Sequence, residues 1–326
     1  MAKTHAIRFE ATGGPERLKW VEVEVGQPGP GEVLIRNSAV GLNYIDTYHR
    51  SGLYPVPLPS GIGLEAAGVI EALGAGVSDF RVGDRVAHGT GPLGGYAERR
   101  VFPADKLVKL PDAIDDKRAA AMMLQGMTVE YLVRRTFPVK RGQAVLFHAA
   151  AGGVGLIACQ WLNAIGATVI GTVGSPEKAK LAEAHGCHYV IDYRRENFVA
   201  RVREITKGAG VPVVYDGVGK DTWAGSLDCL ARRGMMVSFG NASGPVPPFE
   251  PVILSQKGSL YLTRPTLMSY TATREELVDS ANALFEMVLK GAVKIEVHQT
   301  YPLKDAARAH TDLEARRTTG STVLLP

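Results

Sequence analysis

The chain has 326 residues, 45% of them hydrophobic and 21% charged, with a formal net charge of +4. That length accommodates two domains with sizeable cores, and the composition is that of a globular chain, not a disordered or fibrous one. Basic residues are interspersed with acids, no apolar run reaches transmembrane length, and no signal-peptide pattern opens the chain, so neither a nucleic-acid stripe nor a membrane span is expected.

Residues 6–9 and 18–23 alternate apolar and polar and predict strands. A Pro28-Gly29-Pro30-Gly31 turn leads into a strand at 32–36. Residues 41–48 follow a strand and begin a helical turn. A short strand is expected at 68–74, and another enters from the Gly83-Asp84 turn. Short strands punctuated by glycine and proline predict a compact, barrel-like β domain. Residues 115–137 carry a helical pattern.

The pattern then changes to β-α alternation. Gln143-Ala144-Val145-Leu146 reads as a buried parallel strand, and residues 156–162 as an apolar-striped helix. Between them, Ala150, Gly152 and Gly155 occupy the three positions of a G-x-G-x-x-G fingerprint, within the run Ala150-Ala151-Gly152-Gly153-Val154-Gly155. Small residues there let a pyrophosphate approach the backbone at a helix N-terminus. The motif alone also fits a tight strand–helix turn without a ligand. Residues 167–173 form a second strand and 176–186 a second helix, giving a mononucleotide-binding half.

In an NAD site the second strand usually ends in an acid that holds the ribose 2′-hydroxyl. Here it ends Val173-Gly174-Ser175, with Lys178 one turn later. A hydroxyl, a helix N-terminus and an ammonium suit a 2′-phosphate, so NADPH is expected over NADH. Lys178 alone could equally be a solvated helix lysine. Strands follow at 211–216, 234–240 and 259–263, a helix at 273–289, and strands at 295–297 and 321–325. The fold class is α/β, with a doubly wound parallel Rossmann domain set between two parts of a β domain. The expected limits are 1–125, 126–267 and 268–326. Three sparse cysteines, Cys159, Cys187 and Cys229, make no disulfide framework and point to a reducing, cytoplasmic setting.

Taken together, Gly142-Gln143, the fingerprint run, Gln160, Val214-Tyr215-Asp216, residues 238–244 and residues 257–261 resemble the zinc-free NADPH:quinone oxidoreductases. These are the zeta-crystallin-like branch of the medium-chain dehydrogenase/reductase superfamily, and the resemblance covers nearly the whole chain. Asn163 departs from the Lys, Arg or Ser usual there. The resemblance implies that the β part is a GroES-like, β-barrel-type catalytic domain. It places Asn43, Asp46 and Tyr48 at the nicotinamide end of the site, with Tyr54 as a second candidate beside Tyr48. Either tyrosine can stack on a ring and offer a phenol O–H; packing roles are equally open for each alone. Gln125 and Thr128 approach the nicotinamide. The adenosine end is assigned to Gly174, Ser175, Lys178 and Tyr193. Gly217, Phe239, Gly240, Asn241, Gly244, Leu262 and Arg316 complete the cofactor set.

No metal is expected. The first domain has no cysteine, and the family's Gly-His-Glu position is Gly63-Leu64-Glu65, without its histidine. His49 and His88 read as surface or hydrogen-bonded histidines. The implied activity is NADPH-dependent reduction of a small-molecule quinone. An NADPH-dependent alkene or enoyl reductase of the same fold is the alternative enzyme; an NADPH-binding structural or RNA-binding protein is the alternative without catalysis. The apolar strand at 259–263 would end the Rossmann sheet, and the family pairs such strands across a twofold, so a homodimer is expected.

Overall fold

The computed structural model describes residues 2–326. They form two compact units: the residues up to Met127 with Thr271–Phe285 and Ile295–Pro326, and Thr128–Tyr270 with Glu286–Lys294.

In the first unit, β1 (Ala2–Phe9) pairs antiparallel with β2 (Lys19–Val25) and, at its end, with β4 (Ser60–Gly61). The larger sheet is organised on β3 (Glu32–Leu42), which pairs with β5 (Glu65–Leu73) and β7 (Arg99–Pro103). β6 (Arg85–His88) and β8 (Val108–Lys109) extend it on one side. Val33 and Ile35 alternate inward against Ile70, Phe80, Val86, Phe102 and Leu107. β3 runs six residues beyond the expected end at Arg36. Asn37 does not stop it, because its amide turns inward and donates to the carbonyls of Gly95 and Ala97 at 3.2 and 2.8 Å. The last strand, Ser321–Leu325, returns to pair antiparallel with β3. Its parallel neighbour is Val297–Pro302, further along than the expected 295–297. Ile295 is instead 8% exposed and outside any strand.

The helical pattern expected over 115–137 forms two α-helices and a π-helical turn. α1 is the helix Tyr44–Ser51; α2 (Asp116–Ala120) is capped by Asp115, which accepts from Arg118 N; α3 (Met123–Tyr131) follows, and Leu132–Thr136 continues it as a π-helical turn.

The second unit alternates strand and helix: β9 (Ala144–Phe147), α4 (Gly153–Ile165), β10 (Thr168–Val173), α5 (Pro176–Ala184), β11 (Tyr189–Asp192), α6 (Phe198–Ile205), β12 (Val211–Asp216), α7 (Trp223–Cys229), β13 (Leu230–Ser238) and β14 (Tyr261–Thr263). The sheet order is β11-β10-β9-β12-β13-β14, every pair parallel. The chain therefore builds outward from β9 in both directions, and in such sheets ligands bind beyond the strands' carboxyl ends at the reversal. α6 and α7 went unforeseen; both are short, and α6 buries only Val202. β14 begins at Tyr261, two residues late, because Ser259 adopts a left-handed φ of 58°.

Candidate functional site

In the second unit the fingerprint divides into packed and open positions. Ala150, Ala151 and Gly155 are buried, whereas Gly152, Gly153 and Val154 are partly exposed. A methyl at Gly155 would run into the Ala149 carbonyl and lie 2.7 Å from Ala150 C and O, so this glycine lets α4 pack close. A methyl at Gly152 would meet only Ala149 O, at 3.3 Å. Alanine at the first fingerprint position is matched by Gly171 on β10, where a Cβ would lie 2.6 Å from the Ala150 methyl. Gly152 is the N-cap of α4 and gives no side-chain hydrogen bond to its first turn. Uncapped N–H groups behind an open glycine form an anion-binding end.

At the end of β10, Ser175 caps α5 by accepting from Lys178 N at 3.3 Å. A methyl on Gly174 would lie 2.5 Å from the Tyr193 hydroxyl, so the glycine admits that phenol against the strand end. Gly174, Ser175, Lys178 and Tyr193 are thus brought together. A carboxylate also stands beside Ser175. Glu177, on the first turn of α5, keeps its pKa low through its own backbone N–H and the Ser175 hydroxyl. An acid is favoured there by the helix N-terminus.

The loops after β12 and β13 touch backbone to backbone. A Cβ at Gly240 would strike the Gly217 carbonyl and lie 2.9 Å from Gly217 Cα; one at Gly219, whose φ is 91°, would lie 2.6 Å from Gly244 O. Phe239 rests 5.8 Å from the Phe147 ring, centroid to centroid. The Asn241 amide, oriented to satisfy both neighbours, donates to Gly240 O and accepts from Arg264 Nη2 at 3.1 Å. Arg264, which also donates to Gly240 O at 3.2 Å, was missed in the sequence. Leu262 packs against the unit's hydrophobic core, and Thr128 is 7% exposed.

In the first unit, Asn43 and Gln125 are buried and join one hydrogen-bond chain. Ser321 Oγ donates to Gln125 Oε1 (2.8 Å), Gln125 Nε2 to Asn43 Oδ1 (3.1 Å), and Asn43 Nδ2 to Glu65 Oε2 (2.6 Å). Leu124 N donates to the other Glu65 oxygen at 2.9 Å. Burial pushes the Glu65 carboxyl up to about 8 despite these donors. Asp46 is 0% exposed and closes a capping box with Asn43. Its Oδ2 accepts from Asn43 N and from the Tyr96 hydroxyl, each at 2.9 Å, and burial raises its pKa to about 7. Behind Tyr96, His310 and Arg50 continue the contacts, and Arg50 donates to both oxygens of Glu314.

Tyr48 and Tyr54 meet edge to face at 5.2 Å, with Tyr44 6.0 Å from Tyr48. Arg316, exposed and in a left-handed turn (φ 60°), offsets with its charge part of the burial that raises the Tyr44 phenol. Tyr44 was not among the expected residues; as the first residue of α1 beside Asn43 it could have been. The structure thus sets Tyr48 between Tyr44 and Tyr54, brings the Arg316 charge to Tyr44, and directs Asp46 into the core.

His88 Nδ1 lies 2.9 Å from Leu64 O, and its ring stacks on Phe102 at 4.2 Å. Burial lowers its pKa to about 3, and burial also lowers that of His49. Among the described residues, no group of three or more His, Cys, Asp or Glu side chains could hold a metal ion. Among the described residues, no helix is long and apolar enough to cross a membrane.

Two family models match, the alcohol dehydrogenase GroES-like domain over residues 29–112 and the zinc-binding dehydrogenase over residues 153–286. The chain is 60% identical to the quinone oxidoreductase of Pseudomonas aeruginosa, across 98% of this chain and 99% of that one. It is 49% identical to a 2-haloacrylate reductase from a Burkholderia species, across 96% of each. Among solved structures, that of Escherichia coli quinone oxidoreductase complexed with NADPH superposes with a TM-score of 0.98 at 53% identity, covering all of both chains.

Proposed function

We propose that this chain, which belongs to the quinone oxidoreductase family of the medium-chain dehydrogenase/reductase superfamily, oxidises NADPH and reduces a quinone. The observation that carries the proposal is the uncapped N-terminus of α4 behind the open position of Gly152, beside a strand end that gathers Ser175, Lys178 and Tyr193. Gly152, Gly153 and Val154 would receive the pyrophosphate on backbone N–H groups. Lys178 and Tyr193 would meet the 2′-phosphate, with Ser175 releasing Glu177 to do so. The loops at Gly217 and Gly240 to Gly244 would line the dinucleotide with backbone.

NADPH supplies the hydride; the protein binds, orients and stabilises charge. A quinone is already a good electrophile, so donors near its oxygen suffice to stabilise the charge that develops there. Tyr48 is our first choice for that donor and Tyr54 our second. Asn43, Asp46 and Gln125 act one step back, by holding the start of α1 and α3 in register.

The test is loss of absorbance at the reduced-nicotinamide band, with NADPH and NADH in parallel, against a para-quinone, an ortho-quinone, an enone and an enoyl thioester. Oxidation of NADPH with quinones alone is expected. Because a relative 49% identical is a 2-haloacrylate reductase, preference for the enone would move the chain to alkene reduction, with Tyr48 as proton donor.

We further propose a homodimer through β14. It is the last strand of its sheet, and Tyr261 on it is 59% exposed. A cytoplasmic setting is in keeping with three buried free thiols.

A further inference from the structure

One buried histidine has no part in the chemistry above. His148 stands between β9 and the fingerprint and is 1% exposed. Its Nδ1 lies 2.9 Å from Thr172 Oγ1 and its Nε2 lies 2.9 Å from Ser226 Oγ. Ser226 donates its one hydroxyl proton to Asp216 Oδ2 at 2.8 Å. The serine oxygen must therefore receive a proton from the ring, which fixes the imidazole N–H on Nε2. Nδ1 is then the acceptor, and Thr172 donates to it. Burial lowers the imidazole's pKa, in keeping with a neutral ring. The bonds run in one direction: Thr172 to His148 to Ser226 to Asp216.

Asp216 accepts on from the backbone. Val218 N and Gly219 N donate to it at 2.8 and 3.0 Å, and the Thr222 hydroxyl at 2.7 Å. The Phe198 ring closes the cluster, edge to face on the imidazole at 5.2 Å.

Each end of this chain reaches a different loop. Thr172 is two residues before Gly174, His148 two before Ala150, and Asp216 one before Gly217. Backbone bonds accompany the side chains: His148 N donates to Tyr215 O and Ala150 N to Thr172 O, both at 3.0 Å. A leucine or phenylalanine would fill the same volume at less cost in buried polarity, so the imidazole is there for two bonds in fixed directions. A ligand that needs three loops at once gains affinity when their spacing is set in advance.

We propose that His148 is a positioning residue for the dinucleotide, its imidazole setting the spacing of the loops that follow β9, β10 and β12 and thereby tuning NADPH affinity. This rests on the NADPH reading above. The test is NADPH binding without quinone, followed by quenching of protein fluorescence, in the wild type and in His148→Phe, His148→Gln, Thr172→Val and Ser226→Ala. Circular dichroism establishes which variants are folded at the assay temperature.

His148→Phe is expected to raise the Kd about tenfold while kcat at saturating NADPH stays within about twofold. His148→Gln, which keeps a donor for Ser226 but no acceptor for Thr172, falls between. Thr172→Val and Ser226→Ala each raise the Kd severalfold, and Thr172→Val adds nothing on top of His148→Phe. If His148→Phe does not fold, Thr172→Val and Ser226→Ala decide alone, since each takes away one hydroxyl and leaves the rest of the side chain's shape nearly intact. A Kd within about twofold of wild type in every folded variant overturns the proposal, because a merely structural histidine would lower the melting temperature and leave affinity intact. A wild type that fails to bind NADPH overturns the cofactor reading and this inference with it.

Discussion

Asp46→Asn separates the shape of the capping box from its charge. Asp46 Oδ2 accepts two hydrogen bonds, whereas Oδ1 is buried without a partner. Asparagine can keep its oxygen on the first position and put its amide at the second, so the box and the Tyr96 contact survive. Burial raises the carboxyl from 3.8 to about 7 in the folded protein. Between those values the unfolded chain has released a proton that the folded chain keeps. Stability then falls as pH rises, and the loss is complete above the folded pKa. At about 1.4 kcal/mol per pH unit, the full loss is about 4 kcal/mol. The amide of the variant has no proton to lose. Its advantage should therefore be near zero at about pH 4, grow through pH 5 and 6, and level off above about pH 7. Glu65, raised to about 8 mainly by burial, adds a falling slope of its own to both proteins, which the difference removes apart from the smaller contribution that the Asp46 charge makes to it. Urea unfolding of both proteins across about pH 5 to 8 measures it. A difference that stays constant with pH would refute the reasoning, because the buried carboxyl would then titrate no differently in the two states.

Three further outcomes follow from the site. Lys178→Ala should raise the KM for NADPH by about 10- to 100-fold, the worth of a charge-assisted bond, and leave NADH kinetics unchanged; equal effects on both would remove Lys178 from the 2′-phosphate. Gly155→Ala should cost about 1–3 kcal/mol in thermal stability and weaken cofactor binding, since its methyl meets the Ala149 and Ala150 backbone; Gly152→Ala should leave stability nearly unchanged and still weaken binding. Tyr261→Asp should shift the solution mass at micromolar concentration toward the monomer, and an unchanged dimer mass would move the interface away from β14.

The dinucleotide half of the fold was legible because its signals are local. Each buried parallel strand is a continuous apolar run, and the chain between β9 and α4 carries its small residues in one stretch. The polar interior of the first unit is not local. Asp46 meets Tyr96 from 50 residues away, and Arg50 meets His310 from 260. A short polar side chain after a strand looks the same in sequence whether a ligand or a distant tyrosine will satisfy it. Asn43, Asp46 and Gln125 were expected to face the nicotinamide, and the structure gives all three protein partners as well. β3 past Arg36 was hidden for a related reason: Asn37 is a poor strand former until Gly95 and Ala97 supply carbonyls to its amide.

Glycine is the residue through which such long-range demands do surface in sequence. Gly41 lies in a strand interior, where glycine is normally a cost. A methyl there would collide with the Ala120 carbonyl and the Glu65 carboxyl, lying 2.6 Å from Glu65 Cδ. The strand gives up a side chain so that a buried acid can sit against it. Gly171 does the same on β10, clearing space for the Ala150 methyl and the Cys187 sulfur, each 2.6 Å from where its Cβ would be. The alanine that departs from the fingerprint's first position is thus answered on the neighbouring strand. The physical requirement of the motif is a pair of backbones close enough to leave the loop to its ligand, and either strand can supply the missing volume.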